Sequence, residues 1–289
     1  MLADDIPCNA RNSFPGKVFN GRDHAVELYG ENVEVDYRGD EVSVESFLRL
    51  LTGRTLPGTP PSKVLASDEH SNIIIYMNGH GGDRFLKFQD LEEVSSHDLG
   101  GALAEMDLKR RYHRVLFVVD TCQASTLFEE VNSPNIVCMG SSLRGENSYA
   151  KGSDPSIGVS LMDRFTAAML DFFENASSPE SSKPGNRTPA GEGRGGGERV
   201  REGRIEGMRE GRTGSMGDEV TMDAMIHSLK SKNLLSHPHI EMKGWTGPPL
   251  DQVPATDFFG SVLRAELTWE PYDLVGEEEE SETASLGQR

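Results

Sequence analysis

Cysteine is scarce in this chain. Cys8, Cys122 and Cys138 are its 3 cysteines among 289 residues, and an odd number cannot all pair internally. At least one is a free thiol or a bond to another protein. Long apolar runs are missing too: the stretches around Ile74 and Phe117 are each too short for a membrane helix. The opening Met1-Leu2-Ala3-Asp4-Asp5 has neither the basic start nor the apolar core of a signal peptide. On those absences alone the reading is a soluble cytosolic chain. Positive charge is in deficit, and a net charge of -18 would repel a phosphate backbone, which excludes nucleic acid as the expected partner. With 36% apolar residues and a mean hydropathy of -0.49, part of the chain is expected to lie outside any packed core.

What is present centres on two apolar runs. Asn72-Ile73-Ile74-Ile75-Tyr76-Met77 leads into Asn78-Gly79-His80-Gly81-Gly82-Asp83, and Arg114-Val115-Leu116-Phe117-Val118-Val119 leads into Asp120-Thr121-Cys122-Gln123. Both read as strands buried on both faces of a parallel sheet. Between them Leu91, Val94, Leu99, Leu103 and Met106 fall at roughly helical spacing, with Lys109, Arg110 and Arg111 near the end. Strand–helix–strand is a right-handed crossover, so His80 and Cys122 are expected at one edge of the sheet, where open α/β sheets bind ligands.

A thiol and an imidazole at one edge are the parts of an acyl-transfer site. The His handles the thiol proton, the thiolate attacks a carbonyl, and the glycines beside His80 admit backbone N–H groups to an oxyanion. The bland alternative is a buried Cys packing as a small hydrophobe and a loop His in solvent. Placement at the ends of two buried strands favours the first.

Elsewhere, Val33-Glu34-Val35-Asp36-Tyr37 alternates like a half-exposed strand. Glu34 and Asp36 then share a face, either to hold a hard cation or as a solvated acidic pair, and spacing alone favours the second. Val44, Phe47, Leu48 and Leu51 predict a helix over 43–52. A short helix is expected over 126–131, its N-terminus favouring a Cys122 thiolate. The strand at Ile136–Met139 makes Cys138 inert packing and ends in Gly140-Ser141-Ser142, whose hydroxyls either line a substrate pocket or only form a turn. Helices are read over 158–173 and 218–235, and a buried edge strand over 256–267. His237-Pro238-His239 offers two metal ligands without a third. Residues 177–217 are Ser/Pro- and then Gly/Arg/Glu-rich, which predicts a disordered insert. Asn175 and Asn186 open glycosylation sequons that matter only in a secretory compartment. Cys8, in a polar loop, is the candidate for a bond to another chain.

These motifs resemble the catalytic subunits of glycosylphosphatidylinositol (GPI) transamidases, within the legumain-like cysteine peptidases of caspase-like fold. The resemblance rests on Tyr76 to Gly82, Phe85 to Asp90, Asp120 to Gln123, Val33 to Arg38, Phe47 to Arg54, Ser133 to Ile136, Ile157 to Val159, Leu161 to Arg164 and Asp257 to Val262. It implies an α/β three-layer sandwich with a mostly parallel central sheet. It also implies Cys122 as nucleophile, His80 as general base and Gly81 N–H at the oxyanion. The thioester is resolved by the ethanolamine amine of a GPI lipid after a C-terminal signal peptide leaves. It further implies no cofactor for the chemistry, a structural calcium at Glu34 and Asp36, and a Cys8 disulfide to another subunit of a membrane-bound complex on the lumenal side of the endoplasmic reticulum. Family members carry an N-terminal strand and helix, a signal peptide and a membrane helix that find no counterpart here, so the chain reads as truncated at both ends. The expected parts are a catalytic domain over 1–176, the insert over 177–217, a completing helix and edge strand over 218–275, and an acidic tail over 276–289. The alternatives are a legumain-like endopeptidase, with water as acceptor, and a non-catalytic fragment.

Overall fold

The computed structural model describes residues 1–4, 6–20, 24, 26–30, 33–89, 91–154, 159–160, 162–177 and 220–259. The Gly/Arg-rich insert beyond Ser177, the Asn186 sequon, the part of the expected edge strand from Gly260 onward and the acidic tail lie outside them. The chain divides into two compact units, Met1–Val42 with Ser261–Arg289, and Ser43–Gly260.

In the first unit, β1 (Phe19–Asn20) and β2 (Val26–Glu27) form a short antiparallel pair. The Glu27 carboxylate accepts N–H groups from Val18, Tyr29 and Gly30 at 3.0, 2.8 and 2.6 Å. Burial opposes its charge, but those donors win and hold its pKa below the usual range. Residues 33–37 are irregular: the alternation of Val33 to Tyr37 does not become a strand, and its end is tied by Leu2 N–H donating to Tyr37 O at 2.9 Å beside a parallel bridge from Arg38 to Leu2.

The second unit begins with α1 (Val44–Thr52), where the Ser43 hydroxyl accepts from Ser46 N–H at 3.1 Å and Gly53 ends the helix at φ 67°. Its last carbonyls are taken by distant cations: Lys109 Nζ donates to Thr52 O at 2.9 Å, and Arg111 donates to Leu51 O at 2.9 Å and Leu65 O at 2.6 Å. The basic cluster expected to serve the helix before it thus serves a different helix.

The central sheet is built from β3 (Asn72–Asn78), then, after a crossover, β7 (Arg114–Asp120) and β8 (Ile136–Gly140). The crossover holds a small antiparallel sheet of β4 (Gly81–Gly82), β5 (Phe85–Phe88) and β6 (Glu92–Ser95), and then α2 (Ser96–Leu108). Beyond β8 come β9 (Ser153–Asp154) paired with β10 (Val159–Ser160), α3 (Arg164–Ser177), α4 (Met222–Ser231), β11 (His239–Lys243) and α5 (Thr256–Phe259). The sheet order is β11-β8-β7-β3, with β8, β7 and β3 parallel and β11 antiparallel.

Side chains of β7 and β8 alternate between two cores. Val115, Phe117, Val119, Ile136 and Cys138 face a cluster with Leu99, Leu103 and Met106 of α2 and Leu51 of α1, while Leu116, Val118, Val137 and Met139 face Phe165 and Met169 of α3 and Met222, Met225 and Leu229 of α4. Helices on both faces of a mostly parallel sheet make the three-layer sandwich. Three expectations are corrected. β3 is buried on one face only, through Ile73, Ile75 and Met77, because among the described residues it has a neighbour on one side alone. Thr256–Phe259 is helical, its apolar pair Phe258-Phe259 packing as one turn against the second core. The outer strand of the sheet lies instead at His239–Lys243, which starts on the second His of His237-Pro238-His239.

Candidate active site

Parallel pairing runs from Asn72↔Arg114 to Asn78↔Asp120. His80 lies two residues past Asn78, and Cys122 two residues past Asp120, on strands whose neighbours sit about 4.8 Å apart. One rim of the sheet therefore carries both. Cys122 is half-buried and unpaired, and His80 is exposed.

The loop carrying Cys122 is clamped from below. Ser141 and Ser142 are fully buried, and their hydroxyls are spent on its backbone. Ser141 Oγ accepts from Thr121 N–H at 3.1 Å, Ser142 Oγ donates to Thr121 O at 2.8 Å, and Ala124 N–H donates to Ser142 Oγ at 3.1 Å. Gln123 N–H donates to Glu146 O at 2.9 Å, with Gln123 itself at φ 56°. Their pocket-lining role is corrected accordingly: side chains with no exposed surface, bonded to Thr121 and Ala124, brace the thiol's loop. Just past Cys122 the chain forms a 3-10 turn, Ala124–Phe128, in place of the expected α-helix over 126–131, because Thr126 Oγ1 donates back to Gln123 O at 2.8 Å and tightens it.

Gly81 completes the rim. It is the partner of Leu86, and Lys87 N–H donates to His80 O at 2.8 Å, which makes Gly81 a non-hydrogen-bonded position whose own N–H points away from β5. No larger residue fits: a Cβ here would lie 2.5 Å from Thr121 Oγ1 and 2.7 Å from Phe85 O.

Sequence reasoning missed a polar network beneath the rim. Asp120 is buried, and its carboxylate accepts from Ser148 Oγ at 2.7 Å, Thr166 N–H at 3.1 Å and Thr166 Oγ1 at 2.6 Å. Those donors offset the cost of a buried charge. Thr166 Oγ1 also bonds the Tyr76 hydroxyl, whose pKa is pushed up to about 12 by burial and then by Asp120. Asp163 is held above the usual carboxylate range by burial and by Asp120, with the Asn78 amide and His80 opposing. Asn78 and Asp163 line a cavity of about 210 Å³ with Ala150, Ser160 and Met162. The sequence did carry a signal: Asp120 is the acidic end of an otherwise apolar run.

Cys8, in the first unit, is free and exposed. Glu34 is exposed and Asp36 half-buried, and among the described residues no group of three or more His, Cys, Asp or Glu side chains could hold a metal. Calcium takes roughly 6–8 oxygen ligands, so two carboxylates do not suffice. His237 Nδ1 meets Glu146 Oε1 at 2.5 Å, and that ring braces the Cys122 loop through Glu146. Cys138 is fully buried, its thiol pushed up to about 12 by desolvation, as inert packing requires.

Residues 1–183 match the Peptidase C13 family. The chain belongs to that family. It is 57% identical over 174 residues to the GPI-anchor transamidase of Saccharomyces cerevisiae, covering 60% of this chain and 42% of that protein. The Schizosaccharomyces pombe GPI-anchor transamidase is 42% identical over 267 residues, 92% of this chain and 60% of that protein. The human GPI-anchor transamidase is 53% identical over 174 residues, 60% of this chain and 44% of that protein. This C13 chain thus spans about half the length of these relatives. No helix among its described residues is long and apolar enough to cross a membrane.

Proposed function

We propose that this chain is the catalytic subunit of a GPI-anchor transamidase. The supporting observation is the delivery of His80 and Cys122 to one sheet rim by adjacent parallel strands, in a C13 chain 57% identical to a protein of that name. In this reading His80 takes the Cys122 thiol proton, and the thiolate attacks the carbonyl of the attachment-site residue. The oxyanion accepts from Gly81 N–H. The tetrahedral intermediate collapses to a thioester as His80 hands its proton to the departing amine of the C-terminal signal peptide. The ethanolamine amine of a GPI lipid then attacks the thioester, loses a proton to His80, and restores the thiol. The cavity of about 210 Å³ lined by Asn78, two residues before His80, would receive the attachment-site residue, which carries a small side chain in such substrates.

The chemistry uses no cofactor. A structural calcium would take Glu34 and Asp36 as two ligands among others. Cys8 would join another subunit of a membrane-bound complex by a disulfide, in keeping with the oxidising lumen of the endoplasmic reticulum. A second reading, endopeptidase with water as acceptor, draws on the peptidase family itself. Mass spectrometry of the products formed with and without a primary amine separates the two. An amide of the added amine supports transamidation, and free acid alone supports hydrolysis.

A further inference from the structure

Only Gly81 and Gly82 separate His80 from Asp83, and glycine gives a chain its greatest freedom. The position of the imidazole therefore depends on what holds the β4–β5 hairpin. Asp83 and Arg84 form the turn of that hairpin, with Arg84 in the left-handed region at φ 68°. Arg84 N–H donates to Thr126 Oγ1 at 2.7 Å, and its guanidinium donates to Glu129 at 2.8 Å and Glu130 at 3.3 Å. All three partners lie in the stretch that follows Cys122.

Arg144 joins the two sides from a third loop. It follows β8 in a turn closed by Glu146 N–H donating to Leu143 O at 3.0 Å. That turn moves with the thiol's loop, because Gly145 N–H donates to Gln123 Oε1 at 3.0 Å and Gln123 N–H to Glu146 O at 2.9 Å. From there the guanidinium forks. Nη1 donates to Asp83 Oδ2 at 2.9 Å, on the His80 hairpin, and Nη2 donates to Glu129, on the chain after Cys122. A planar cation with two donors at fixed spacing sets the separation of the two carboxylates it holds. The Arg144 bond is the largest influence on Glu129 and keeps its carboxyl below the usual range, so the contact stays charged at neutral pH. These side chains are exposed, where ion pairs add little to stability. Alignment is another matter, since small displacements of a proton-transfer group are costly in rate.

We propose that Arg144 is a positioning residue, whose forked contact with Asp83 and Glu129 aligns the His80 loop on the Cys122 loop. The inference rests on the acyl-transfer reading above. The test is the rate at which iodoacetamide alkylates Cys122 in the full chain at neutral pH. It is read on the Cys122 peptide by mass spectrometry, because Cys8 is also exposed. The thiolate is the species that reacts, so the rate follows how well His80 takes the thiol proton. His80→Ala should slow it. Arg144→Gln should slow it about two- to fivefold with little change in Tm. Asp83→Asn should do the same from the other end of the contact, and it decides the matter if the Arg144 variant misfolds. Adding Arg144→Gln to His80→Ala should slow labelling no further, since without the imidazole nothing is left to align. The gap between wild type and Arg144→Gln should close in about 1 M salt, where charges are screened beyond about 3 Å. If His80→Ala slows labelling and either of the other single variants does not, the proposal falls while the acyl-transfer reading stands. If His80→Ala has no effect, both fall. An Arg144→Gln effect that survives high salt, or that adds to His80→Ala, overturns the proposal as well.

Discussion

The loops that leave β7 and β3 start from the same rim of one sheet, but they are fastened in opposite ways. Thr121, Gln123 and Ala124 around the thiol are each hydrogen-bonded to a second loop, through buried Ser141 and Ser142 and through Glu146. His80 is fastened by its carbonyl to Lys87, and among the described residues its ring has no hydrogen-bond partner. A nucleophile needs a fixed position relative to the carbonyl it attacks. A group that carries a proton from one partner to another gains from a ring that can swing. The contrast is what separate duties at one rim would require.

Substitutions on the two sides should therefore fail differently. Cys122→Ala should abolish acyl transfer with little change in Tm, because the half-exposed thiol holds no structure; retained turnover would end the nucleophile assignment. His80→Ala should cost about 10²–10⁴-fold in rate, again with little change in Tm. Gly81→Ala strikes both properties, since its methyl must displace Thr121 Oγ1 or Phe85 O. A loss of about 1–3 kcal/mol in denaturant unfolding, together with reduced turnover, is expected. Ser142→Ala strands Ala124 N–H in a buried place, while Thr121 O keeps Ser141 Oγ, at about 1–3 kcal/mol. Its activity loss should be smaller than that of His80→Ala; a larger one would mean that bracing outweighs proton transfer.

The mildest effect is expected at Asp163. Its folded pKa is raised, so the ionised form destabilises the native state above that value, and the cost vanishes below the unfolded value near 3.8. Asp163→Asn should thus raise Tm at neutral pH, and the gain should fade as pH drops toward 3.8. A gain that persists in acid would reassign the effect to packing.

How much of this was readable in the sequence depended on the scale of each feature. β7 and β8, apolar but for Arg114 and Asp120 at the two ends of β7, and the helices with a clear face declare themselves, as does the pairing of His80 with Cys122 through a crossover. The two-residue β4 does not, because Gly81-Gly82 has no side chain to alternate. Thr256–Phe259 misleads because a short apolar run fits strand and helix equally. Val33 to Tyr37 alternates, but among the described residues no partner strand uses it. Ser141 and Ser142 look like surface turn formers, and only the fold shows that the Cys122 loop lies over them. Asp120, Thr166, Ser148 and Asp163 are scattered over more than forty positions, so no local pattern announces their network.

Arg111 shows what such distance does to assembly. Its guanidinium closes the end of α1 by bonding Leu51 O and then ties down Leu65 O. That cation reaches the helix only once the intervening chain has doubled back on itself. In pulsed hydrogen exchange during refolding, amides of β3 and β7 should become protected before those in the last turn of α1. The earliest helix of this unit in the chain would then be among the last to set.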